Sequence, residues 1–255
     1  TRVMYFKNTG GVFKKENIGN VTGLFQSLTS GDIDNDGDID LIVGNFGLNS
    51  QYQASAAEPV QIHVKDFDKN GRIDPLISTY VQGVSYPAYS LDEITAQLPS
   101  LRKSYNDYAS YSKATTTDIL KILGNEDILT YEANTLATLL FINENGTFKQ
   151  SPLPIEIQFS PINALLLQDI NGDKLPDLIT GGNQSNIRVR TGKIDANYGQ
   201  VFINKGKGKF QYLPQKDSGI SVKGDVRSVV WISDQLIFGV NSGDAKAFKL
   251  KRDLQ

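Results

Sequence analysis

The chain has 255 residues, 39% of them hydrophobic and 21% charged, with a net charge of -2 and no cysteine. That length can bury the core of one all-β domain or two smaller ones, and the lack of cysteine excludes a disulfide framework and any thiolate metal site. The charge balance lacks the basic excess of a phosphate-backbone binder, so nucleic acid is not an expected partner, and no apolar run is long enough to span a bilayer.

The first residues, "TRVMYFKNTGG", carry neither a start methionine nor a signal-peptide pattern and read as a mature product or a piece of something longer. From Val3 to Phe13 an apolar run passes through an asparagine and glycine turn into a phenylalanine, the pattern of a β-hairpin. Next comes "GDIDNDGDIDL", Gly31 to Leu41, with five aspartates in eleven residues. Its core, "DIDNDGDID" from Asp32 to Asp40, aligns with "DFDKNGRID" from Asp66 to Asp74 and "DINGDKLPD" from Asp169 to Asp177. Each places a carboxylate or amide at relative positions 1, 3, 5 and 9: Asp32, Asp34, Asp36 and Asp40; Asp66, Asp68, Asn70 and Asp74; Asp169, Asn171, Asp173 and Asp177. Position 7 adds a backbone carbonyl, from Asp38, Arg72 and Leu175. Hard cations such as Ca2+ take several oxygens at once from a tightly wound loop, so the crowded charge is tolerable if an ion sits inside it. Up to three structural calcium ions are expected. The first loop offers four side-chain carboxylates and the others three each, so the first should hold calcium longest.

Position 6, where the chain must turn, is Gly37 and Gly71 in the first two loops; the third has Lys174 there and Gly172 at position 4. An EF-hand is rejected, because position 12 is Val43, Ile77 or Thr180 where a bidentate glutamate is needed, and β-rich runs flank each loop. The single histidine, His63, alternates with Ile62 and Val64 and reads as a strand residue and not as a catalytic base.

From Ser90 to Leu123 the β pattern breaks. "SLDE" is a capping box, Ser90 with Glu93, opening a helix that Pro99 interrupts, and threonines near Thr117 suit a second cap. Tyr105, Tyr108 and Tyr111, spaced by three, form one helical stripe that packs the insertion down or offers rings to a sugar or protein. Thr138 to Phe148 and Gln200 to Phe210 repeat the hairpin of Val3 to Phe13. Between them, "NQSNIRVRTGKIDANYGQ" carries Arg188, Arg190, Asp195 and Tyr198 on a connection where recognition residues collect, or where a solvated loop holds an internal ion pair. Finally "VRSVVWISDQLIFGVN" looks like a loop-bearing strand pair with its acidic turn deleted, followed by a shortened strand, "AKAFKL". Trp231 reads as core of an inner strand.

An acidic-loop strand pair plus a hairpin makes a four-stranded unit, and repeated units of that kind suggest propeller blades. The three loops, each followed by Asp-Leu or Asp-Pro-Leu and an apolar strand, resemble FG-GAP/VCBS repeats, the calcium-binding blades of integrin alpha-subunit propellers and of many bacterial envelope proteins. "NFGLNS", "QFSPINALLLQDINGDKLPDLITGGN" and "GDVRSVVWI" are similar to the C-terminal part of exported VCBS-repeat proteins of Gram-negative bacteria. The resemblance implies an all-β fold: a β-propeller domain or propeller fragment over residues 1–255, part of a seven- or eight-bladed ring, with a small helical insertion at about 90–123. It implies structural calcium, an extracytoplasmic address (cell surface, periplasm or secreted) and noncatalytic recognition of a protein or polysaccharide. The rival is a polysaccharide lyase or glycoside hydrolase on a calcium-containing propeller. The first two loops lie 34 residues apart, too close for a full blade between them, so they share a blade or the first has lost its outer hairpin. A fragment would leave edges to be covered by remaining blades or a second copy.

Overall fold

The computed structural model describes residues 1–188 and 190–249, so Leu250 of "AKAFKL" lies outside the described residues. The chain falls into two compact units, residues 52–135 with Thr1, and residues 2–51 with the described residues from Leu136 onward. Both are mostly β and antiparallel. A closed propeller is not found among the described residues, and no helix among them is long and apolar enough to cross a membrane.

The larger unit begins with a hairpin, β1 (Arg2–Thr9) and β2 (Val12–Thr22), followed by β3 (Ser27–Gly31) and β4 (Asp40–Gly44), which flank the first acidic loop. The smaller unit then intervenes. Its β5 (Val60–Lys65) and β6 (Asp74–Val81) flank the second loop, and β7 (Val84–Pro87) continues the meander. Helix α1 (Leu91–Gln97), a 3-10 turn at Pro99–Lys103, the single turn α2 (Tyr108–Tyr111) and α3 (Thr116–Leu123) follow. Strand β8 (Leu129–Ala133) returns to pair with β5, giving the order β7-β6-β5-β8. Helix α1 starts on the anticipated Ser90–Glu93 capping box; α3 starts on a second one, Thr115 with Asp118. Leu91, Ile94, Leu98, Leu101 and Ile119 from this helical segment bury against Phe67 and Leu76 of the sheet and its loop.

Back in the larger unit, β9 (Leu139–Glu144) and β10 (Thr147–Ser151) form the second hairpin. After them, β11 (Ile162–Gln168) and β12 (Asp177–Gly182) flank the third loop, and β13 (Gln200–Asn204) with β14 (Phe210–Leu213) is the third hairpin. A short turn, α4 (Gln215–Ser218), leads to β15 (Val226–Ile232), β16 (Gln235–Val240) and β17 (Lys246–Lys249). The acidic turn missing from β15–β16 is replaced by Ser233 and Asp234, both at positive φ, as a tight two-residue hairpin turn requires.

The sheets run β3-β4-β9-β10, β11-β12-β13-β14 and β15-β16-β17, with β1-β2 as a two-stranded sheet. The first two acidic loops therefore do not share a sheet, and the first has not lost its hairpin. The whole segment 52–135 is inserted between β4 and β9, and β9 still finds β4 through the pairs Leu41–Phe141, Ile42–Leu140 and Val43–Leu139.

Because side chains alternate along a strand, β9 serves two interfaces. Leu139 and Phe141 bury with Val3 and Ile18 of the β1–β2 hairpin, while Leu140 buries with Ile162, Leu178 and Phe202 of the next sheet. Strand β13 repeats this, sending Val201 and Ile203 to Val229, Leu236 and Phe238. Close approach between strands is met by glycine: a Cβ on Gly182 would lie 1.7 Å from the Pro161 carbonyl oxygen. Gly182→Ala should therefore destabilise the larger unit by about 2–3 kcal/mol, seen as a lowered urea midpoint in the fluorescence of its single tryptophan, Trp231.

Candidate metal centre

All three acidic loops close the same way, between two antiparallel strands. The first aspartate folds back on the turn: Asp32 accepts from the Asp36 and Gly37 N–H groups at 3.1 Å each, Asp66 from Asn70 and Gly71 at 3.0 and 2.8 Å, and Asp169 from Gly172 and Lys174 at 2.7 and 2.9 Å. The position 5 side chain then accepts from the residue two on, Asp36 from Asp38, Asn70 from Arg72 and Asp173 from Leu175, each at 2.8 Å. Positions 4 and 6 are left-handed throughout: Asn35 (φ 64) and Gly37 (95), Lys69 (60) and Gly71 (83), Gly172 (84) and Lys174 (71). The departure of the third loop is thus a relocation of its glycine from one left-handed position to the other, which leaves Lys174 in the strained one.

The ninth-position aspartate ties loop to sheet. Asp40 is fully buried and accepts from Ile33 N–H and, across the strand, from Asn143 N–H, both at 2.8 Å. Asp177 is likewise buried and accepts from Ile170 at 3.1 Å and Asn204 at 2.8 Å. Asp74 accepts from Phe67 at 3.0 Å. The residue at position 2 is apolar in every loop and faces inward: Ile33 and Phe67 are buried in core clusters and Ile170 packs against one. Asn143, Asn204 and these position 2 anchors were not singled out in the sequence, although the repeated "FIN" of the hairpins and the apolar second residue of each loop were there to read.

The charge in these loops is held under strain. Burial, then the neighbouring Asp40, Asp36 and Asp32 charges, pushes the Asp34 carboxyl above the usual carboxylate range, although the Asp36 backbone opposes this. Burial also raises Asp40, against the hydrogen bonds from Asn143 and Ile33. Asp177 is pushed up to about 6, by burial first and then by Asp173 and Asp169. One oxygen, Asp34 Oδ1, is shielded from water and has no hydrogen-bond partner among the described residues.

Carboxylate oxygens of Asp32, Asp34 and Asp40 come within 4.8 Å of one another, and those of Asp66, Asp68 and Asp74 do the same. Either cluster could hold a metal ion, and an all-oxygen donor set suits a hard cation. In the third loop position 3 is an amide, Asn171, whose Nδ2 donates to Asp173 Oδ2 at 3.0 Å, so its three carboxylates are at positions 1, 5 and 9 where those of the second loop are at 1, 3 and 9. No protein-family model matches the chain, and no curated protein matches it as a relative.

The other candidates lie elsewhere. Tyr105, Tyr108 and Tyr111 share no continuous helix, since Tyr105 precedes the single turn of α2. Tyr111 is buried, donates its OH to the Tyr89 carbonyl at 2.9 Å and meets the Tyr105 ring edge-on at 5.8 Å. Tyr108 is exposed and donates to Asp92 at 2.7 Å. Arg188, Arg190 and Tyr198 are exposed on a loop pinned by the Gln184–Ile194 bridge and by Asn183 and Asn197. A cavity of about 380 Å³ lies at the base of this loop, lined by Leu48, Asn49, Ile155, Gln158, Phe159 and Ala196, beyond the strand ends remote from the acidic turns. His63 is buried, with its ring nitrogens 3.0 and 3.1 Å from the Thr130 and Ser78 hydroxyls, and burial lowers its pKa. Ser78 is fully buried as well.

Two outcomes follow from the loops. Lys174→Gly should stabilise the larger unit by about 1 kcal/mol by relieving a left-handed non-glycine residue, measured by urea unfolding. Asp177 has a folded pKa raised above 3.8, so its favourable contribution is complete below that value and is lost as pH rises through about 6. Chelator-treated protein should therefore show a higher urea midpoint by Trp231 fluorescence at pH 5.5 than at pH 7.5, and millimolar Ca2+ should shrink that difference.

Proposed function

We propose that the chain is a noncatalytic, calcium-stabilised repeat module of propeller type from an exported or surface protein, recognising a protein or polysaccharide through loops at the strand ends remote from its metal sites. The observation that carries this reading is the convergence of Asp32, Asp34 and Asp40, repeated by Asp66, Asp68 and Asp74, on matching strand-to-strand turns. The Asp34 oxygen, shielded from solvent and lacking a hydrogen-bond donor among the described residues, is the sort of atom a cation satisfies. Asp32, Asp34, Asp36 and Asp40 with the Asp38 carbonyl would hold the first ion, and Asp66, Asp68, Asn70 and Asp74 with the Arg72 carbonyl the second. Asp169, Asn171, Asp173 and Asp177 with the Leu175 carbonyl would form a weaker third site.

When bound, the ion supplies positive charge that cancels the mutual repulsion of each loop. Turn sites lacking a position 12 glutamate suit the submillimolar to millimolar calcium affinities of extracellular modules, which supports the extracytoplasmic address. The exposed Arg188, Arg190 and Tyr198, together with the apolar cavity that Ala196 of the same loop helps to line, form the recognition surface in this reading. The repeated inner pair and outer hairpin in β3-β4-β9-β10 and β11-β12-β13-β14 support the blade assignment.

Calorimetric titration of chelator-stripped protein with CaCl2, paired with thermal melts, tests the reading. At least two ions should bind, the first loop should retain its ion longest under chelation, and Asp34→Ala should abolish one site. At a hundredfold excess over Kd, each ion should stabilise the unit holding it by about 2.7 kcal/mol. Absence of both heat and melting shift at millimolar calcium would overturn the proposal.

A further inference from the structure

The three hairpins share one register: Asn8 pairs with Phe13, Asn143 with Phe148 and Asn204 with Phe210. Two residues before each asparagine stands a phenylalanine, Phe6, Phe141 or Phe202. In the second and third hairpins, the edge carrying that phenylalanine is occupied. Phe141 pairs with Leu41 and Phe202 with Leu178, each leucine directly following the ninth-position aspartate of an acidic loop. The same aspartates take the Asn143 and Asn204 N–H groups. The asparagine side chains all accept from a turn glycine: Asn8 from Gly11 and Asn143 from Gly146, three residues on, at 2.8 Å each, and Asn204, in a hairpin one residue longer, from Gly206 two residues on at 2.9 Å.

The first hairpin has the same face and edge without the partner. Among the described residues β1 pairs only with β2. Val3 faces the following sheet and is buried with Leu139 and Phe141, and Tyr5 meets the Phe148 ring. On the opposite face Phe6 is 52% exposed, against 3% for Phe141 and 0% for Phe202, which neighbouring core residues cover, and Phe13 is exposed where Phe148 and Phe210 are half-buried. A two-stranded ribbon with one apolar face in water is an incomplete unit.

We propose that the outer edge of β1 is a docking site for a strand pair carrying an acidic loop, of the kind formed by Ser27–Gly44 and Ile162–Gly182 and contributed by polypeptide other than the described strands. Its Asp-Leu leucine would pair with Phe6 and its ninth-position aspartate would accept the Asn8 N–H, as at the two complete sheets. A second copy of the chain does not supply this occupant, because its β4, β12 and β6 edges are already filled by β9, β13 and β7. The inference rests on the repeat-unit part of the reading above and is independent of metal occupancy.

The test appends a duplicate of residues 162–182 to the front of the full chain through a flexible glycine-serine linker, which holds the probe at high effective concentration. Amide hydrogen exchange at Phe6 and Asn8 should slow at least tenfold, and Asp177→Ala in the added copy alone should restore fast exchange at Asn8. Unchanged exchange at both amides, with native Trp231 fluorescence in the fusion, would overturn the proposal. So would a parent chain that self-associates with these amides already protected and becomes monomeric on Phe6→Glu, since a second copy would then own the edge. Calcium titration of the same fusion separates the two readings: protection at β1 without calcium binding leaves the docking edge standing and removes the metal sites, and calcium binding without protection does the reverse.

Discussion

Two buried carboxylates, Asp40 and Asp177, govern how this chain is put together. Each joins an acidic turn to the hairpin strand beside it, through N–H groups on both sides, and each does so from a position from which water is excluded. A charge in that position is stabilised by its donors and opposed by burial and by the other aspartates of its loop, with the outcome that both are displaced toward protonation. A cation held in the loop, as proposed above, would resolve that conflict. The turn conformation is set for it by backbone geometry alone, since left-handed residues at positions 4 and 6 recur whether glycine, asparagine or lysine occupies them.

The repeat survives interruption because pairing is specified residue by residue. Inserting residues 52–135 between β4 and β9 leaves the Leu41–Phe141 pair and the Asn143–Asp40 hydrogen bond in place. The insert is itself built around an acidic strand pair, but it completes its sheet differently, with β7 beside β6 and β8 beside β5, and buries its helices on Leu76 and Phe67. The same turn chemistry is thus used in two different sheet contexts.

Local features were legible in the sequence. The nine-residue alignment located all three turns, the asparagine and glycine signals located the hairpins, and the Ser90–Glu93 box located α1. Long-range pairing was not, because nothing local tells β4 that its neighbour lies nearly a hundred residues away across an insertion. The tyrosine stripe misled for a related reason: spacing by three implied one helix, whereas the chain breaks around Ser104–Asp107 and uses Tyr111 as a core residue. Within the site, the carboxylates were visible by their charge, while the asparagines that clamp them are ordinary hairpin residues whose role is apparent only once the strands are paired.

Amide hydrogen exchange at Asn143 and Asn204, compared in chelator and in millimolar Ca2+, tests most directly whether cation-filled loops hold hairpin to strand pair. Slower exchange at both amides with calcium is the expected result, with the larger effect at Asn143, whose loop carries more carboxylates. Identical exchange in the two conditions would contradict the account, because the loops would then brace the sheets without any ion.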